Sequence, residues 1–190
     1  MRAAAPILCG LLLALTAVAA AQGDRAEEIA RFLTALAGSG PRHLHFAHLM
    51  LPHTPLSMLP DGRQYFPKKG LMTGIVDKHW IDDPMLVWQA YQRYILQTMF
   101  VDSVVGELRA TLEKRALWND ALVVLVADHG VNFTPGSHRR LVSVDHAYEV
   151  LLVPLLIKAP GQTEGRVVDQ PVSTIDEVLE LALVEMPEPL

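Results

Sequence analysis

Cysteine is nearly absent from these 190 residues: Cys9 is the one example, and it lies inside an apolar N-terminal run. No intrachain disulfide can form and no thiolate cluster can assemble, so metal chemistry has to use imidazole and carboxylate donors. An excess of positive charge is missing too. Sixteen Lys and Arg against 21 Asp and Glu give a formal net charge of -5, which argues against a polyanion-binding surface and against a nucleic-acid partner. Internal repeats and low-complexity tracts are also lacking, and a chain that is 51% hydrophobic and 19% charged does not have the composition of a disordered one. Its length suits one domain with a real core and is too short for two of ordinary size.

What is present begins with "MRAAAPILCGLLLALTAVAAAQG", which has one positive charge at Arg2, a Leu- and Ala-rich stretch, and small residues at Ala19 and Ala21. The pattern predicts a signal peptide over 1–21 and an exported protein, whether periplasmic, extracellular or membrane-anchored. An uncleaved anchor is one alternative, because about 20 apolar residues span a bilayer. Packing of the run inside the fold is another. Pro6 and Gly10 weaken a helix in any of these readings.

From Asp24 the pattern is that of a single α/β domain over 24–190. "DRAEEIARFLTALAGSG" places Ile29, Phe32, Leu33 and Leu36 at helical spacing and ends at glycine. Leu44, Phe46 and Leu49 to Leu51 predict a buried strand that Pro52 ends, with His53 just beyond. Residues 55–84 are rich in proline and turn signals and predict an ordered excursion over the surface. The longest helical pattern follows, carried by Leu86, Ala90, Tyr94, Met99, Val101, Val105 and Leu108. "LVVLVA" at 122–127 reads as a strand buried on both faces. A further strand in "EVLLVPLLIKAPG" and a final helix in "STIDEVLELALVEM", capped around Thr174 and Asp176, complete the alternation. This order predicts α/β layers, a mainly parallel sheet flanked by helices.

Ligands of open α/β sheets bind beyond the carboxyl ends of the strands, where Asp128 and His129 fall here. A carboxylate beside an imidazole suits a divalent ion such as Zn or Mn, and Gly130 lets the chain turn after them. By itself the tripeptide also reads as a capped turn. In context with "LPHTP" at 51–55, "VDSVVGEL" at 101–108, "VPLLIKAPGQ" at 153–162 and "VSTIDEVLEL" at 172–181, the strand end resembles the sulfatase-like part of the alkaline phosphatase superfamily over about residues 42–185.

The resemblance implies that Asp128 and His129 bind the metal (Ca, Mn, Mg or Zn), and that His53 in the PH-x-P segment reaches an anionic ester group. It also places His138, with Arg139 and Arg140, in the loop where relatives carry another histidine. His53 and His138 are the expected catalytic side chains, and Asp102 and Gly106 the expected helix-packing positions. The chemistry so implied acts on a sulfate or phosphate ester: a metal polarises the ester oxygen, imidazole and guanidinium groups stabilise its charge, and a histidine protonates the leaving group. The family's nucleophile and acidic pair have no counterpart, since neither Cys-x-Pro-x-Arg nor an early acidic strand end occurs. The chain therefore resembles the C-terminal part of such a domain, with His79, Asp145 and His146 as spare metal donors.

Each of these residues also has a plainer reading. His43, His45, His48 and His79 read as packing, surface or loop residues, and Arg139 with Arg140 as a solvated pair. Two functional expectations follow: a metal-dependent hydrolase or transferase of sulfate or phosphate esters, and a non-catalytic remnant or binding domain with a weak metal site. If central strands are missing, exposed sheet edges favour self-association, and the N-terminal run favours membrane association.

Overall fold

The computed structural model describes residues 25–38, 43–65 and 74–173, and the backbone of 9–15. The final helix expected around Thr174 and Asp176 lies outside the described residues. The described residues form two sheets. Strands β1 (Cys9–Leu15), β2 (Leu44–His48), β5 (Ala121–Ala127) and β6 (Leu155–Lys158) form a four-stranded sheet in the order β2-β1-β5-β6, and β3 (Ile75–Val76) pairs with β4 (His79–Trp80) in a short hairpin. β1 runs parallel to both β2 and β5, whereas β6 runs antiparallel to β5, so the sheet is mainly parallel as expected. The run that reads as a leader thus supplies a central strand here, with Leu12 opposite Phe46 on one side and Val124 on the other.

Two helices cover one face of this sheet. α1 (Arg25–Gly38) carries Glu27 and Glu28 in its first turn, where negative charge complements the helix dipole, and buries Ile29 and Leu36. α2 (Pro84–Lys114) starts on Asp83, whose Oδ1 accepts from the Met85 and Leu86 amides at 2.9 and 3.2 Å, with Pro84 at the first helical position. One cluster joins Ile29 to Ala47, Leu49, Leu51, Met58, Phe100 and Val104, and another joins Leu36 to Leu108, Leu112, Ala121 and Val123. A third, of Trp80, Val87 and Ala90 with Ile75, Val131 and Phe133 against them, fastens the hairpin and the loop after β5 to the start of α2.

Five sequence expectations change. Leu44 and Phe46 are exposed, at 77% and 57%, while Ala47 is buried; strand alternation puts Ala47 on the helix-covered face and the two large residues opposite it. The buried stripe of α2 runs through Val87, Ala90, Gln97, Phe100, Val104, Leu108 and Leu112, so Met99 is exposed and a polar residue lies in the stripe. Asp102 and Gly106 face outward, and a Cβ at Gly106 would meet nothing within 4 Å, so neither is a packing position. The 55–84 segment is more than a surface excursion, because Leu56, Ser57 and Met58 enter the core and Trp80 is buried. Between 147 and 158, a short helix α3 (Ala147–Leu151) precedes β6 where one longer strand is expected. No helix among the described residues is long and apolar enough to cross a membrane.

Candidate functional site

Three segments converge: the turn after β2, the tip of the β3–β4 hairpin, and the loop after β5. Two side chains hold the turn after β2. The Arg25 guanidinium donates to the carbonyls of His53, Thr54 and Pro55 at 3.0, 2.9 and 3.2 Å. From α2, the fully buried Gln97 donates to the His53 carbonyl at 2.6 Å and accepts from the Ser57 and Met58 amides at 3.0 and 3.3 Å. A buried amide is tolerated because its partners replace water, and here they fix the backbone under His53.

The hairpin and the post-β5 loop are laced together. Trp80 donates its backbone N–H to the Ser137 carbonyl at 2.9 Å, and the Arg139 amide donates to the Lys78 carbonyl at 3.1 Å. His79 and His138 form a bridge between the two segments, with rings edge to face at 5.0 Å. Lys78, His138, Arg139 and Arg140 then line a cavity of about 240 Å³, and among the described residues no carboxylate joins its walls. The solvated-pair reading of the two arginines fails, since Arg140 donates to His53 Nε2 at 2.5 Å and Arg139 has a buried Nε with no partner.

The hydrogen-bond partners settle the imidazole tautomers. His53 Nδ1 lies 2.6 Å from the Thr54 carbonyl and must donate to it, leaving a lone pair on Nε2 that accepts from Arg140. His138 is the reverse: its Nδ1 accepts from the Arg140 amide at 3.2 Å, so its Nε2 carries the proton. Desolvation, reinforced by the surrounding arginines, holds the His53 pKa below the ordinary imidazole value against the opposing pull of the Thr54 carbonyl. His138 is lowered as well, by desolvation first and then by His79, Lys78, Arg139 and Arg140. Both rings are therefore neutral at pH 7, and burial lowers the Arg139 pKa without removing its charge.

At the end of β5, Asp128 Oδ1 accepts the His129 amide at 2.9 Å, and Oδ2 stands 3.6 Å from His129 Nε2. His129 Nδ1 donates to the Gly130 carbonyl at 2.8 Å, while Nε2 is buried with no hydrogen-bond partner. An imidazole locked by its other nitrogen, with its lone pair turned toward a carboxylate oxygen, is the donor arrangement a divalent cation uses. The pair fits a metal as half of a site: no group of three His, Cys, Asp or Glu able to hold one occurs among the described residues. His146 contacts Glu149 at 3.4 Å, Asp145 is exposed, and His79 belongs to the hairpin, so none of the spare donors joins the pair. Gly130 serves close approach rather than a turn, since a Cβ there would stand 2.0 Å from the Glu149 carbonyl oxygen.

The structure thus brings His53 and His138 to one place through Arg140, and leaves Asp128 and His129 outside the cavity lining. Sequence reasoning misses Lys78, Arg25, Gln97 and Asn132. Only Lys78 has a local signal, as the turn between "IV" and "HW"; a buried amide inside an apolar helix or a loop has none.

A model of the sulfatase family matches residues 22–182. The chain belongs to the sulfatase family. This sulfatase-family chain is 32% identical over 62 residues to the multifunctional alkaline phosphatase superfamily protein PehA of Trinickia caryophylli, a match over 33% of the chain and 12% of PehA. Two solved structures share its fold at 15% identity: a protein of Bacteroides thetaiotaomicron assigned to the sulfatases, with TM-score 0.56, and a 2-O GAG sulfatase, with TM-score 0.55. Each covers 86% of this chain, which spans 43% and 42% of theirs. The sulfatase-family α/β layers described above therefore correspond to part of the larger alkaline phosphatase/sulfatase core.

Proposed function

We propose that this chain binds the sulfate or phosphate group of an ester and belongs to a hydrolase or transferase that acts on it. One observation carries the reading: a cavity lined by Lys78, Arg139, Arg140 and the Nε2–H of His138, with donors and positive charge on its walls and no carboxylate there among the described residues. Such a pocket takes a fully ionised oxyanion, whose oxygens accept from guanidinium, ammonium and imidazole groups together.

Within this reading His138 presents a hydrogen-bond donor and His53 does not. The Nε2–H of the neutral His138 ring is placed to donate a hydrogen bond to an ester oxygen, whereas the His53 lone pair is spent on orienting Arg140. Asp128 and His129 are the residues that would hold a divalent cation (Ca, Mn, Mg or Zn); when bound, it supplies Lewis-acid polarisation of an ester oxygen. Export is part of the proposal and rests on the leader-like composition of residues 1–21, in the form that keeps the run on the chain, because Cys9–Leu15 pairs with β2 and β5.

The test titrates the full chain with inorganic sulfate and phosphate by calorimetry, then assays chromogenic aryl sulfate and aryl phosphate with Mn, Ca, Mg or Zn added. Oxyanion binding that Arg140→Ala weakens, and turnover that the Asp128→Ala/His129→Ala double variant abolishes, are the expected results. Absence of oxyanion binding sinks the proposal. A second reading, a binding domain without turnover, is favoured by the lack of a third metal donor among the described residues, and it predicts oxyanion binding with no product under any metal.

A further inference from the structure

Asn132 lies two residues past Gly130 and is fully buried. Its side chain uses both ends of the amide. Nδ2 donates to the His138 carbonyl at 2.8 Å, and Oδ1 accepts from Ser137 Oγ at 2.6 Å and from the Thr134 amide at 3.2 Å. Its backbone reaches two more partners: the N–H donates to the Arg139 carbonyl at 3.1 Å, and the carbonyl accepts from Trp80 Nε1 at 2.6 Å. One residue therefore grips the loop near its start and again at 137–139, and ties it to the buried indole of the hairpin.

We propose that Asn132 is the positioning residue of the oxyanion pocket, holding the 132–140 loop in the one conformation that aims His138, Arg139 and Arg140 into the cavity. The proposal rests on the oxyanion reading of that cavity. Its logic is geometric. The carbonyls of His138 and Arg139 are both turned toward Asn132, while the side chains of 138–140 line the cavity and Arg140 reaches His53. The same geometry brings the Arg140 amide to His138 Nδ1, which sets the tautomer that leaves Nε2–H available. Asparagine is suited because donor and acceptor are needed together. Aspartate has the size but no Nδ2 donor, and it would oppose the His138 carbonyl with negative charge; alanine leaves the His138 carbonyl and the Thr134 amide without a partner, while the Ser137 hydroxyl keeps the Thr134 carbonyl at 2.8 Å.

The experiment uses the full chain with Asn132→Asp and the milder Ser137→Ala, which removes one of the contacts to Oδ1. Inorganic sulfate affinity is read by calorimetry, the His138 tautomer by its ring ¹⁵N shifts, and folding by the thermal midpoint. Asn132→Asp is expected to weaken sulfate binding about tenfold or more, the size of one lost charge-free hydrogen bond, and to move His138 away from the Nε2–H form. Ser137→Ala is expected to keep the fold and lose about threefold in affinity. A folded Asn132→Asp protein with unchanged affinity and unchanged His138 shifts overturns the proposal. If Asn132→Asp does not fold, Ser137→Ala decides: wild-type affinity and shifts overturn it. If the wild-type chain binds neither sulfate nor phosphate, the oxyanion reading fails. Asn132 is then judged on the His138 shifts alone, and an unchanged tautomer in the variants overturns its positioning role.

Discussion

At the scale of single residues, the site depends on which nitrogen carries a proton. His53 is neutral in the fold because burial, Arg140, Arg25 and Arg139 all lower its pKa, while in the unfolded chain it takes a proton near 6.5. A base depressed in the folded state lends stability above its unfolded pKa and loses it as pH falls through the folded one. Protonation also removes the acceptor that Arg140 uses. The unfolding midpoint should therefore drop as pH falls below about 6.5, and His53→Gln, which cannot titrate, should lessen that drop; thermal melts across the range measure both. Gly130 makes a separate prediction. An alanine there drives its Cβ into the Glu149 carbonyl oxygen, so Gly130→Ala should lower stability by about 1–3 kcal/mol in urea unfolding, with little change in slope. The positions of His53, Asp128 and His129 beyond strand ends are legible in sequence because each follows an apolar run. Their roles are not: Arg140 beside His53 depends on a contact across 87 residues.

At the scale of elements, the hairpin of β3 and β4 brings a cation to the cavity through a strained turn. Asp77 and Lys78 have φ of 46° and 69°, a region that favours glycine, and Lys78 lines the cavity. Non-glycine residues held there cost stability and gather at functional sites. Lys78→Gly should accordingly raise the thermal midpoint, by relief of about 1 kcal/mol, while weakening sulfate binding. A variant that gains stability and keeps full affinity would remove Lys78 from the pocket. α1 is fully legible, since its apolar residues keep one phase. α2 is legible as a helix but not in its facing, because apolar residues surround it and Gln97 is buried by what it must hold rather than by its hydropathy.

At the scale of the whole molecule, the sheet depends on β1. Cys9–Leu15 pairs with β2 and with β5 over its length, so a chain without residues 2–21 would expose a strand edge on each and the apolar groups beside them. Such a chain should associate or lose cooperative unfolding, and size-exclusion chromatography with urea denaturation would show it; a monodisperse, cooperative monomer would show that the sheet closes without that run. Sequence by itself determined the class of layers, the family resemblance and the strand-end pair Asp128 and His129, because hydrophobic periodicity and short motifs are local. Tertiary structure alone decided that an apolar leader-like run occupies the centre of a sheet, that Arg140 meets His53, and that Asn132 and Gln97 are buried. Those outcomes depend on partners far away in the chain, and a buried polar group is stable only where such partners meet it.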